Sequence, residues 1–104
     1  MQDKISLETA IIDVIKTVND PELSADIYEL GLVYKIDISD KGFVNITMTL
    51  TAPGCPVAGD IIREVDEKVR TVTSVTDVNV MLTFDPPWHR DMMSEEAKLE
   101  LGFL

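Results

Sequence analysis

At 104 residues, with 45% hydrophobic and 27% charged residues, the chain has the make-up of one small globular domain. Its 19 acidic residues against 9 Lys and Arg give a formal net charge of -10. That balance argues against a nucleic-acid partner, since phosphate binding needs a basic surface, and against an anionic membrane. The single cysteine allows no internal disulfide. The start, Met1-Gln2-Asp3-Lys4, lacks a signal-peptide pattern, and no apolar run reaches membrane-spanning length, so the expected location is cytoplasmic.

In chain order, Leu7, Ala10, Ile11, Val14, Ile15 and Val18 recur at helical spacing, with Ser6 as the expected N-cap. Asn19-Asp20-Pro21 stops this helix, because the residue before a proline avoids the helical region. Ser24 to Leu30 reads as one short helical turn ended by Gly31. Val33 to Ile38 and Phe43 to Leu50 alternate as strands around the turn Ser39-Asp40-Lys41-Gly42, which predicts a hairpin. On the second strand Val44, Ile46, Met48 and Leu50 share an apolar face, opposite a mostly polar one with Phe43, Asn45, Thr47 and Thr49. A second helix follows over Val57 to Arg70, with Ala58, Ile61, Ile62, Val65 and Val69 inward. Val78, Val80, Leu82 and Phe84 mark a third strand, stopped by Asp85-Pro86-Pro87. A last helix runs from Ser94 through Leu101, with Glu95 and Glu96 in its first turn and Gly102 after it.

The expected fold is α/β (α+β), a single domain over 1–104 in the order α-β-β-α-β-α. The second strand, second helix and third strand form a βαβ unit, so the third strand is expected parallel to the second, with a right-handed crossover. The sheet is then mixed, with helices on one face. The third strand is free to lie beside either the second or the first.

The stretch Thr51-Ala52-Pro53-Gly54-Cys55-Pro56 sits between the second strand and the second helix. Gly54 and the two prolines break both patterns, which puts Cys55 in a tight loop opening a helix. Unpartnered N–H groups and the helix macrodipole favour the thiolate there, the form that attacks electrophiles and binds metal. A lone cysteine also serves elsewhere as a small buried hydrophobe. The parallel strands bring Cys55 and the Asp85–Met93 loop, with His89, to one sheet edge, where ligands bind on α/β sheets. Asp20 and Glu22 in the first loop join them if the first helix packs suitably.

Three chemistries compete for this set. One Cys, one His and two carboxylates match no closed zinc or iron–sulfur site, which leaves a ligand donated to a transient or shared centre. Cys55 as nucleophile, His89 as base and Asp20 as orienter have the residue types of a thiol enzyme. In the purely structural reading Asp20 closes a turn, and Glu22 and His89 are solvated. Trp88, Met92 and Met93 either close the core beneath their loop or form a partner patch, the first being favoured. No P-loop, dinucleotide fingerprint, nucleophile elbow or paired CxxC is present.

Four segments together resemble the SufT/PaaD-like family. They are Asp20-Pro21-Glu22-Leu23 with Asp26-Ile27-Tyr28-Glu29-Leu30-Gly31-Leu32-Val33, Met48 to Pro56, Leu82 to Trp88, and Ser94 to Gly102. That family is associated with iron–sulfur cluster assembly and delivery, and related domains stand at the front of Mrp/ApbC-type ATPases. The resemblance implies that Cys55 is the functional residue and a transient or shared metal ligand. Asp20, Glu22 and Thr51 are implied to line its site, and Gly54 and His89 are its neighbours in the sheet-edge reading. It further implies no established reaction, no tightly bound cofactor beyond transient iron or an iron–sulfur cluster, and the assembly machinery and apo-client proteins as partners. With too few ligands on one chain for a cluster, a homodimer is expected. The chain lacks the cysteine-bearing tail of PaaD-type members and any ATPase module.

Overall fold

A computed structural model describes residues 4–20, 23, 25–51 and 58–103. Helix α1 (Lys4–Ile15) is followed by short strands β1 (Asn19–Asp20) and β2 (Ala25–Asp26), then β3 (Val33–Ile38), β4 (Phe43–Met48), α2 (Ala58–Arg70) and β5 (Asp77–Leu82). A 3₁₀ turn (Arg90–Met92) and α3 (Glu95–Glu100) complete the described chain.

The main sheet has the order β3-β4-β5, which resolves the position of the last strand: it lies beside β4 and runs parallel to it. β3 and β4 are antiparallel, with Ile36 opposite Ile46 and Ile38 opposite Val44. Their turn works because Gly42 has φ +83°, and a Cβ there would stand 2.2 Å from the Ser74 carbonyl oxygen. The Ser39 hydroxyl accepts the Lys41 and Phe43 N–H groups and closes the same turn.

Helices α1 and α2 cover the face that carries Val44, Ile46 and Met48, all fully buried. Leu7, Ile11 and Ile15 from α1 and Ile61, Val65 and Val69 from α2 complete the core. Each such side chain contributes about 1.5–3 kcal/mol on full burial. The opposite face is open, with Asn45 and Asn79 bonded to each other across β4 and β5.

Several expectations need correction. Ser6 is not an N-cap: α1 already includes Lys4 and Ile5, and stops at Ile15 rather than Val18. Val18 is buried outside the helix, and its carbonyl accepts the Ile27 N–H at 2.9 Å. The segment expected as a helical turn begins as β2, which pairs with β1 to give a second, two-stranded sheet absent from the predicted order. Only its end coils, where the Leu30 N–H reaches the Asp26 carbonyl and the Asp26 carboxylate accepts the Glu29 N–H. Gly31, at φ +79°, does end that turn as expected. β4 and β5 each stop two residues early, at Met48 and Leu82. α3 is shorter by one residue at each end than expected, because Ser94 and Leu101 are its caps: the Ser94 hydroxyl accepts the Ala97 N–H at 3.1 Å.

The segment after β5 does not hang free. It straps back across the edge of the sheet onto residues 29–34. The Trp88 indole N–H donates to the Leu30 carbonyl at 2.7 Å, and the Ser94 N–H donates to the Glu29 carbonyl at 2.8 Å. The Tyr34 hydroxyl donates to the Pro86 carbonyl at 2.8 Å and lies 3.6 Å from the Met92 sulfur. Met93 is buried in the core and Trp88 packs against it, so the core-closing role of these side chains holds.

Candidate functional site

Val33, Met48 and Leu82 stand in one row across the end of the sheet. Beyond this row three segments emerge side by side, held by two further bonds. The Thr49 N–H donates to the Leu32 carbonyl at 2.8 Å, and the Thr83 N–H donates to the Met48 carbonyl at 2.9 Å. This is the edge at which the connection carrying Cys55 leaves β4, on its way to α2.

The β1–β2 hairpin is tied to the same edge through the backbone. Ile27 donates to Val18, Leu32 donates to Ile27, and Thr49 donates to Leu32, each at 2.8–3.0 Å. These bonds bring the Val18 and Ile27 ends of the two short strands to the edge, and Asp20 follows two residues after Val18. Its side chain is 2% exposed, and its carboxylate accepts the Leu23 N–H at 3.2 Å, closing the turn between the two strands. The turn-closing role assigned to Asp20 is thus real. A buried carboxylate must be hydrogen-bonded to be tolerated, and this one is.

Thr51 is half-buried just past the edge. Cys55, Gly54 and Glu22 lie outside the described residues. His89 follows Trp88 on the strap with its side chain 61% exposed, and its nearest charged group is the Asp91 carboxylate at 3.9 Å. A base oriented by Asp20 would have its ring held by that carboxylate. His89 faces Asp91 instead, which counts against the Cys-His-Asp arrangement. Among the described residues, no three His, Cys, Asp or Glu side chains converge to hold a metal ion.

One residue at this edge escaped the sequence reading. Thr49 is fully buried, and among the described residues its Oγ1 has no hydrogen-bond partner. Alternation assigned it to the polar, open face of β4, but that end of the sheet is closed over. An orphaned buried hydroxyl costs about 1–3 kcal/mol. Thr49→Val, which keeps the shape and removes the hydroxyl, is expected to raise the melting temperature by a few degrees, about 1 kcal/mol. A fall in melting temperature on thermal denaturation would mean that the hydroxyl is bonded in solution.

The described residues form a small α+β domain, a mixed three-stranded sheet with two helices on one face and a strap across its end. The chain matches the family model described as iron–sulfur cluster assembly protein over residues 8–82, and it belongs to that family. Within it the chain is SufT-like. It is 52% identical to an Fe-S protein maturation auxiliary factor of Porphyromonas gingivalis, over 96% of this chain and 95% of that one. It is 45% identical to the Fe-S protein maturation auxiliary factor SufT of Staphylococcus aureus, over 80% of this chain and 94% of that one. A crystal structure of a domain of unknown function from Bacillus anthracis has the same fold, with a TM-score of 0.89 and 38% identity over 96% of this chain and 95% of that one.

Proposed function

We propose that the chain, as a single domain over 1–104, is a non-catalytic cytoplasmic factor that helps assemble iron–sulfur clusters or hand them to client proteins, using the Cys55 thiolate. The cluster is cargo: Cys55 holds iron or a cluster transiently, or shares it between two copies, and releases it to an apo-protein. The observation that carries this reading is the family match across residues 8–82, joined to nearly full-length relatives that are named maturation auxiliary factors rather than enzymes. Position supports the role of Cys55. It stands three residues before Ala58, the first residue of α2, on the connection that leaves the C-terminal end of β4. A thiol ahead of a helix ionises more readily, and thiolate is the soft ligand that iron–sulfur chemistry takes.

No helix of the described residues is long and apolar enough to cross a membrane. The partners in this reading are the assembly machinery and apo-clients. The acidic surface favours partners with basic docking faces through long-range attraction.

The test is Cys55→Ser. Serine keeps the size and removes the thiolate, so the variant is expected to melt within about 0.5 kcal/mol of the parent, as surface changes do. In a strain lacking the parent gene, the activity of a cluster-dependent enzyme is expected to stay at the level of the deletion. Full complementation by a stable variant sinks the role of Cys55, and an early-melting variant makes the residue structural.

A further inference from the structure

β5 is an edge strand, and among the described residues only Arg70 is bonded along its outer edge. The Thr83 N–H bonds the Met48 carbonyl, so in a parallel ladder the odd-numbered residues of β5 turn their backbone groups toward β4. The even-numbered residues Val78, Val80 and Leu82 point theirs away from it. Arg70 confirms the alternation, since its guanidinium donates to the outward Val78 carbonyl at 3.0 Å. Among the described residues, the outward N–H and C=O groups of Val80 and Leu82 have no backbone partner on that side. Natural edges are blunted by lysine, proline, bulges or a covering element. Asp77-Val78-Asn79-Val80-Met81-Leu82 has none of these except Arg70 at its start. Three large apolar side chains cluster at the other end: Met81, Leu82 and Phe84 are 44%, 40% and 39% exposed.

We propose that this edge pairs with the β5 edge of a second copy, antiparallel, about a two-fold axis at Met81. This deepens, and rests on, the reading in which two copies share a cluster. The register follows from what is free. With the axis at Met81, Val80 of each copy faces Leu82 of the other as hydrogen-bonded pairs, so four backbone bonds form from groups now unpartnered. Arg70 keeps its hold on Val78. The two Met81 side chains meet as a close non-hydrogen-bonded pair on the open face. On the helix face each Val80 packs against a Leu82, with Phe84 alongside.

Neighbouring registers do worse. An axis at Val80 sets Met81 opposite Asn79 and requires Leu82 to displace Arg70 from Val78. An axis at Leu82 sets Met81 opposite Thr83, off the ladder.

Charge opposes the contact. At the Met81 register Asp85 of one copy lies toward the Asp77 end of the other, where Arg70 already pairs with two carboxylates, Asp77 at 2.7 Å and Asp66, and has no charge left to balance a third. That repulsion, added to the net charge of -10 on each chain, weakens the dimer and makes it salt-dependent. The axis lies one residue from the end of β5, so pairing brings the two C-terminal sheet edges together, the edges from which the cysteine-bearing connections depart. The contact is smaller than a standard interface, so the dimer is weak and reversible, as suits the transfer of cargo.

Sedimentation velocity of the full chain tests this. The parent is expected to be monomeric at about 1 μM and measurably dimeric at about 100 μM, with the dimer strengthened when salt rises from about 50 to about 500 mM, because two chains of net charge -10 repel less when screened. In hydrogen exchange the Val80 and Leu82 amides are expected to slow at the higher concentration. Met81→Lys, which puts two cations opposite each other, is expected to stay monomeric with an unchanged far-UV spectrum, and Met81→Leu to dimerise like the parent. A parent chain that remains monomeric at about 1 mM, or a Met81→Lys variant that dimerises as well as the parent, overturns the interface. Neither result touches the Cys55 reading, which fails only if Cys55→Ser complements while the Met81 contact is intact.

Discussion

Gly31→Ala is expected to lower the melting temperature by about 10–20 °C, the equivalent of about 2–3 kcal/mol in a domain of this size. Two costs coincide at this position. The backbone has φ +79°, where an L side chain is strained by about 1–2 kcal/mol. A Cβ would also stand 2.3 Å from the Met92 carbonyl oxygen and 2.9 Å from its carbon, which are backbone atoms that cannot swing aside like a side-chain tip. Relief requires the strap to lift, which strains the Trp88 bond to Leu30 and the Ser94 bond to Glu29 that flank the contact. Trp88 is the only tryptophan, so its emission reports the lift directly. A red shift is expected at temperatures where far-UV signal shows the fold intact. A variant that melts within 2 °C of the parent, with unshifted emission, would falsify the tight seating of the strap on Gly31.

The main elements were legible because each carried a complete local signal. Val33–Ile38 was bounded by Gly31 before it and by Ser39–Gly42 after it, and the strand occupies that interval. α3 had acids in its first turn and Gly102 behind it. β1 and β2 were not legible, because two-residue strands have no periodicity and Asn19-Asp20-Pro21 reads equally well as a plain stop. Ser6 was chosen as a cap from its residue type alone, and the preceding Lys4 and Ile5 simply continue the helix. Strand order depended on how α2 packs against β5 and α1, a tertiary fact.

At the site, Asp20 was found from its turn chemistry, yet its near-complete burial comes from the packing around the β1–β2 hairpin. Thr49 looked like one more polar-face residue; its burial shows only once that end of the sheet is closed over. The link between the Asp26–Val33 and Leu82–Trp88 motifs was likewise invisible in sequence. It is made by bonds between residues 58 positions apart, Leu30 with Trp88. In this structure each of the two motifs docks on the other.

That mutual docking makes a second large effect predictable. Trp88→Ala is expected to destabilise by about 2–3 kcal/mol, less than the roughly 3–5 of a fully buried aromatic, because the ring is only partly covered. The loss has two parts that a second variant separates. Trp88→Phe keeps most of the packing and removes the indole donor, leaving the carbonyl of buried Leu30 without this partner, for about 1–2 kcal/mol. Combining Trp88→Ala with Gly31→Ala tests whether the strap acts as a unit. If Gly31→Ala already lifts it, the tryptophan has less left to lose, and the double variant should fall short of the sum of the singles by about 1 kcal/mol or more. Urea titrations give the four corners of this cycle, and the slope with denaturant is expected to stay constant because the exposed area on unfolding hardly changes. Strict additivity would mean that Trp88 and Gly31 stabilise separate regions. In that case the strap is a loop that happens to touch the Asp26–Val33 segment, and it is not a clamp that holds that segment in place.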